Sequence, residues 1–326
     1  MFKLHIYNPE HDIVLGRNDV SFTPPRAARI TRERFCHIPA LWAEDGDWIL
    51  VDDVKMAAEN LLREKRKYAK VRFVTFDDLK SLTSDMMPAK VEPWGWDKHL
   101  VYRLLKCNPL FRELVPDDNQ LDEIREFSSR VFAAENLLSA LVAESDMFVG
   151  KAEVFKGSVQ DLCVYLKDKG PVVLKSPWSC SGRGVRFIEK ELTDSERGWV
   201  KNILDEQKTI MIEPKYNKVL DFAMEFVCDK TGVRYTGMNL FSTNNGAYLQ
   251  NSNLSEVDRI TKIGQYIDVK LLDIIRNSII ELTSNSICGH YEGPFGIDMM
   301  IVVDCENKTK VHPCVEMNLR RTMGQI

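Results

Sequence analysis

The side chains in this sequence that can bind and move charge stand at the ends of apolar runs. Val172-Val173-Leu174-Lys175 delivers a lysine to a loop of mostly small residues running from Ser176 to Gly184. With Ser176, Ser179, Ser181, Gly182 and Gly184 in it, such a loop lets backbone N–H groups close on phosphate oxygens, and Lys175 adds a fixed positive charge. No Gly-Lys-Ser/Thr follows the glycines and no helix starts there, so this is not a Walker loop. A plain hairpin turn suits the same residues. Ile210-Met211-Ile212-Glu213 is a second apolar run ending in an acid, broken at Pro214 and followed by Lys215, Lys218 and Asp221. Free backbone groups at such a strand end can pair with an adenine edge, Glu213 can accept from its exocyclic amine, and Asp221 can reach a ribose. A strand end with solvated charges reads these residues equally well.

The stretch Gly293 to Val303 carries one acid, Asp298, and Lys310 to Asn318 carries Glu316 and Asn318. Asp304-Cys305-Glu306-Asn307-Lys308 between them is rich in turn formers. An antiparallel hairpin centred near Asn307 sets Asp298 opposite Glu316, about 5 Å apart at Cβ. Asn318, two residues on, shares their face. Two carboxylates opposed on apolar strands repel unless a cation lies between them. A donor set made only of oxygens suits Mg²⁺, which takes carboxylates and phosphate oxygens. A lone acid in a strand ordinarily faces solvent, but two acids and an asparagine in register favour the metal. Arg320 then stands beside a terminal phosphate and can offset its charge during transfer, although an arginine near a chain end also serves as a surface ion pair.

One further cluster, Asn8-Pro9-Glu10-His11-Asp12, groups polar side chains just past the first strand, where open α/β sheets bind ligands. Phe22 to Arg26 can line the same crevice. Asn8, Glu10, His11 and Asp12 are therefore candidate substrate residues, and a self-capped Asn-Pro turn explains them as well.

These side chains need strands to carry them. Phe2 to Tyr7 alternates like a strand and stops at Asn8-Pro9. Trp48 to Val51 and Val71 to Thr75 read as two more, with a helix from about Val54 to Lys67 between them. Thr23-Pro24-Pro25 marks an extended turn, and Pro93 to Asp97 and Pro116 to Asp118 each open a helix. Strands alternating with helices predict an open, mostly parallel α/β domain over residues 1–127. Ser128 and Ser129 cap a helix from Arg130 to about Ala143. A helix (Val159 to Lys167) and strands at Val172 to Lys175 and Val185 to Ile188 follow, and helix and strand then alternate to the final hairpin.

Composition narrows the function classes. At 326 residues and 44% hydrophobic the chain can bury a large core in two or three folding units. A formal net charge of −4 leaves no basic footprint for nucleic acid or an anionic membrane. No apolar run reaches the length of a membrane span, and the first seven residues turn polar too soon for a secretory signal. Eight cysteines are scattered without a C-x-x-C pair or clustered histidines. That speaks against zinc and disulfides and for a cytoplasmic chain with reduced thiols.

Lysine strand, small-residue loop, acidic hinge, strand-borne Asp298 and then Glu316-Met317-Asn318-Leu319-Arg320 stand in an order that resembles the ATP-grasp superfamily of carboxylate–amine and carboxylate–thiol ligases. The resemblance covers Ser128 to the C-terminus. It implies an α/β chain, α+β in its C-terminal part, with a substrate domain at 1–127 followed by two ATP-grasp subdomains, 128–213 and 214–326. It implies ATP and two Mg²⁺ ions as cofactors. Lys175 would contact the α- and β-phosphates under a flap formed by Ser176 to Gly184. Glu213 would hold the adenine and Asp221 the ribose, with Lys215 also among the nucleotide-binding residues. Asp298, Glu316 and Asn318 would bind the metals, with Lys175 and Arg320 catalytic. Arg130 falls where the family has a second phosphate-binding lysine, with Lys98 a rival. Cys180 and Ser181 stand where glycine is common, and only six residues follow Arg320, so any closing helix of the family is missing here or has been removed. The implied reaction passes phosphate to a small-molecule or peptide carboxylate, which an amine or thiol then attacks. A kinase acting on a hydroxyl and a regulator without turnover are the alternatives, the latter disfavoured by the complete metal set. Neither nucleic acid nor membrane is an expected partner, and the oligomeric state is not readable.

Overall fold

The computed structural model describes Phe2 to Ile326 apart from Cys180, Ser181 and Asn245 and the side chains of Asn244 and Ala247. The chain forms two compact units, one ending at Arg125 and one running from Glu126 to Gln325.

The first unit is built on a parallel sheet of β1 (Lys3–Ile6), β2 (Trp48–Leu50), β3 (Arg72–Val74) and β4 (Lys90–Pro93), in the order β3-β2-β1-β4. Strand β1 pairs in parallel with both β2 and β4. Apolar side chains cover both faces, with Leu4, Ile6, Leu50, Val74, Val91 and Phe111 in one cluster and Ile49, Val51, Ala57 and Leu61 in another. Burial on both faces is what parallel strands with crossover helices require. The helices start at side-chain caps: Asp53 accepts from Met56 N, Thr75 and Asp78 form a capping box, and Asp97 accepts from Leu100 N. The sequence reading finds three of these strands and misses β4, a four-residue strand with two charges and a terminal proline. It also misses the helices His11–Arg17 and Arg26–Phe35. The second buries no residue, and six of its ten residues are polar or charged, so little apolar content marks it. The helix from Val54 ends at Leu62, short of Lys67.

The second unit holds two sheets. The smaller one contains β5 (Glu153–Phe155), β6 (Val172–Lys175), β7 (Val185–Ile188) and β8 (Ile210–Pro214), ordered β5-β8-β6-β7. The helices Val159–Leu166 and Asp194–Gln207 pack on it through Leu162, Leu166 and Val200. The larger sheet contains β9 (Asn217–Asp229), β10 (Gly232–Asn244), β11 (Ala247–Asn251), β12 (Gly293–Val303) and β13 (Thr309–Asn318), in the order β11-β10-β9-β12-β13. Helix and strand do not alternate here as expected: β9, β10 and β11 are consecutive antiparallel strands, and the helices Glu256–Ile263 and Lys270–Ser286 then lead to β12. The side-chain period of two sorts β9 into an apolar face of Phe222, Met224, Phe226 and Cys228, all buried, and an opposite face of Asp221, Ala223 and Glu225. Phe226 stacks on Phe295 of β12 at 5.2 Å between ring centroids. Ser129 caps the helix beginning at Arg130, as the sequence implies; its middle, Ala133–Leu138, is a π-helical turn. Among the described residues no helix is long and apolar enough to cross a membrane.

Candidate functional site

The closing hairpin pairs Asp298 with Glu316 and Gly296 with Asn318 across antiparallel β12 and β13. The two carboxylates and the asparagine therefore share one face, the register expected from the sequence. Asn318 Nδ2 donates to Asp298 Oδ2 at 3.3 Å, and Arg320 donates through a terminal nitrogen to Asn318 Oδ1 at 3.0 Å. Burial and the facing Glu316 push the Asp298 carboxyl up to about 7, against the pull of Arg320 and Asn318. Asp298 makes no ion pair among the described residues.

The neighbouring residue that the sequence reading missed is Glu225 of β9. It is 3% exposed and pairs with Gly296, one step along the same face as Asp298. Burial raises its carboxyl to about 8, Thr322 Oγ1 donates to Oε2 at 2.9 Å, and Asp298 adds a further upward push. A Cβ at Gly296 or Gly324 would fall 2.6 or 2.1 Å from its oxygens, so only glycine leaves room for it. The signal was present in the Asp221-Ala223-Glu225 alternation, which a reading centred on strand ends passes over.

These raised carboxyls set an expected pH dependence. The folded state holds protons on Asp298 and Glu225 that the unfolded chain releases near the ordinary 3.8 and 4.5. Their contribution to stability is complete below those values and is lost as pH rises through about 7 and 8. His312, buried with neither ring nitrogen partnered, is pushed down to about 3 and works in the opposite sense below its ordinary 6.5. Without metal or nucleotide, Glu225→Gln should flatten the fall in melting temperature between pH 6 and 9. An unchanged slope would remove Glu225 as its source.

At the other end of the site, Lys175 closes β6. Its Nζ lies 2.6 Å from Glu213 Oε2, with side chains 8% and 7% exposed. Residues 173 and 213 are cross-strand partners, which puts the two charges side by side. The following loop folds back tightly: Ser176 N donates to Gly184 O at 2.8 Å, and a Cβ on Gly184 would lie 2.1 Å from the hydroxyls of Ser176 and Ser179. Gly182 adopts φ 71°, a left-handed conformation that favours glycine. Ser181 lies outside the described residues. Buried Arg130 binds this loop to the hairpin, donating to Ser176 O at 2.7 Å and Ser179 Oγ at 2.8 Å and pairing with Glu316 Oε1 at 2.8 Å. A guanidinium fork can reach three such groups at once, where an ammonium is a single point of charge. Lys98 is elsewhere, paired with Asp122 in the first unit. Asp221 takes Lys218 at 2.6 Å and a hydrogen bond from Thr243, and Lys215 pairs with Glu189.

The N-terminal candidates have a separate setting. Asn8 donates to Gly95 O and Asp97 Oδ2, and His11 Nδ1 lies 3.4 Å from the same carboxylate oxygen. Glu10 pairs through Oε1 with Arg32, and Asp12 lies in the first turn of the helix His11–Arg17.

A magnesium ion suits the hairpin in chemistry. Asp298, Glu316 and Asn318 offer oxygen donors only, on one face of the hairpin. No group of three or more His, Cys, Asp or Glu side chains is placed to hold a metal among the described residues. Water and phosphate oxygens would complete such a shell, which is how Mg²⁺ is usually held beside nucleotides.

No protein-family model matches this sequence, and no curated protein matches it. Solved structures do. The N5-carboxyaminoimidazole synthetase of Staphylococcus aureus, solved with ADP, aligns at 13% identity over 99% of this chain and 71% of its own, with a TM-score of 0.53. The biotin carboxylase domain of the Hydrogenobacter thermophilus 2-oxoglutarate carboxylase, solved with MgADP, ADP and bicarbonate, aligns at 13% identity over 99% of this chain and 65% of its own, with a TM-score of 0.55. At such identities the likeness speaks for fold. The chain has the ATP-grasp fold.

Proposed function

We propose that this ATP-grasp chain is a Mg-ATP-dependent ligase that activates a carboxylate as an acyl phosphate for attack by an amine. The observation carrying this reading is the opposition of Asp298 and Glu316 on one sheet face, with Asn318 and Arg320 beside them and Arg130 tying Glu316 to the small-residue loop. Lys175 and the loop from Ser176 to Gly184 receive the α- and β-phosphates. Phosphate competes for the Lys175 ammonium, and Glu213 is thereby released to accept from the adenine amine. Lys215 and Asp221 complete the base and ribose contacts. Arg320 stands at the terminal phosphoryl group and offsets the charge spread over its oxygens as it moves. Magnesium held by Asp298, Glu316 and Asn318 would neutralise phosphate charge and orient the transferring group. The rest is positioning by the protein, with no covalent enzyme intermediate.

Mg-ADP is expected to raise the melting temperature, since a ligand that binds only the folded state adds RT ln(1 + [L]/Kd), about 2.7 kcal/mol at a hundredfold excess over Kd. The paired variant Asp298→Asn/Glu316→Gln should remove the magnesium dependence of that shift. No stabilisation of folded protein by any nucleotide would sink the reading. With candidate acids and amines present, ligation releases ADP and phosphate together; ADP alone would identify a kinase, and neither product a regulator.

A further inference from the structure

The fold of the second unit brings together two cysteines that stand 60 residues apart in the chain. Cys228 and Cys288 place their Sγ atoms 3.2 Å apart, one thiol hydrogen-bonded to the other. Cys228 belongs to β9 and is 1% exposed, on the apolar face with Phe222, Met224 and Phe226. Cys288 is half-buried and lies just past the last turn of the helix Lys270–Ser286. There Ile287 O accepts from His290 N and Tyr291 N, and Gly289 turns the chain at φ 87°. Gly293 then opens β12 and pairs with Cys228 itself, so the sheet fixes one thiol and anchors the turn that carries the other. Three other thiols, those of Cys36, Cys107 and Cys314, turn instead to backbone carbonyls.

Such a pair has one open end and one closed end. Cys288 can meet a small solute, whereas Cys228 is shielded from it. Burial, and then the hydrogen bond to Cys288, push the Cys228 thiol up, so it stays protonated beside its neighbour. We propose that Cys228 and Cys288 form a reversible thiol–disulfide site, oxidised by hydrogen peroxide that reacts first at Cys288. The Cys288 thiolate attacks a peroxide oxygen and the O–O bond breaks. Hydroxide leaves and takes up the proton that Cys288 released, and Cys288 becomes a sulfenic acid. The Cys228 sulfur then forms the S–S bond as the S–O bond of Cys288 breaks. The Cys228 proton departs with that hydroxyl as a second water. The two sulfurs give up two electrons, and the peroxide is reduced to two waters. A dithiol reverses the step by exchange. The bond closes a loop that spans β10, β11 and the two helices after them. It thereby limits the unfolded chain and fastens the end of the helix Lys270–Ser286 to β9. Glu225 lies on the opposite face of β9, so this site needs no nucleotide and stands apart from the ligase reading.

The test exposes the reduced full chain, without nucleotide or metal, to hydrogen peroxide, blocks the remaining thiols by alkylation, and maps peptides with and without dithiothreitol. A peptide linking Cys228 to Cys288 should appear at least about tenfold faster than oxidation of the exposed Cys305, and dithiothreitol should remove it. The linked protein should melt at least about 5 °C above the reduced protein. Cys228→Ala should leave Cys288 as a sulfenic acid that dimedone traps, and Cys288→Ala should leave Cys228 unoxidised. Absence of the link in folded wild-type protein, under peroxide that oxidises Cys305, would overturn the proposal. A preferred link from either residue to some other cysteine would do the same. So would a linked protein that melts below the reduced one, because the native fold would then not hold the two sulfurs ready to bond. If Cys228→Ala fails to fold, Cys288→Ala at its half-buried position and the wild-type peptide map decide the matter.

Discussion

Arg320→Ala should lower turnover by about 10³ to 10⁵-fold while changing Mg-ADP affinity by less than about threefold. The asymmetry follows from position: Arg320 bonds Asn318, the last residue of β13, rather than the lysine end of the site. ADP lacks the group proposed to lie there, so the interaction is absent from the product complex and strongest when charge spreads over the moving phosphoryl oxygens. Single-turnover phosphate release and ADP titration measure the two quantities separately. Loss of ADP binding with an intact fold would show that the terminal phosphate has been put in the wrong place.

Lys175→Ala should destabilise the nucleotide-free protein by about 3–5 kcal/mol, because it strands the Glu213 carboxylate in a site that is almost closed to solvent. Lys175→Met/Glu213→Leu should recover most of that loss, since an apolar pair of similar volume replaces both charges at little net cost. Denaturant unfolding of Lys175→Met, Glu213→Leu and the double variant gives the coupling energy directly. Additive losses would mean that the pair is weaker than its 2.6 Å separation indicates. The same pair makes Lys175→Ala alone a poor probe of phosphate binding, because lost stability and lost affinity arrive together. The double variant, stable but unable to hold phosphate through residue 175, is the cleaner test.

What the sequence makes legible is local. The Asp298–Glu316 register follows from one turn and two apolar strands, so counting outward from Asn307 suffices. The loop after Lys175 is readable because small residues tolerate close backbone approach. The Lys175–Glu213 pair depends on β8 inserting between β5 and β6, a pairing that no short window encodes. Glu225 acquires its meaning only when β12 docks against β9. Arg130 could be placed at a helix start from Ser129, but its reach to Glu316 requires β13 beside that helix. In the first unit, Arg26–Phe35 escaped notice because four arginines, Thr31 and Glu33 dominate its ten residues and leave little apolar content to mark it.

The π-helical turn at Ala133–Leu138 makes chain length itself a constraint. Such a turn carries one residue more than regular winding. That extra residue is taken up inside the wide turn, so deleting it there would let the helix wind regularly and leave Arg130 in nearly its present phase relative to Leu141. Deleting a residue from the regular helix beyond it, with the wide turn kept, would instead rotate everything before the cut by about 100° relative to the residues after it. Arg130 would then point away from Glu316, Ser176 and Ser179 together. Two one-codon deletions a few positions apart should therefore have very different consequences: the first alters packing, and the second re-aims the side chain that joins the loop to the hairpin.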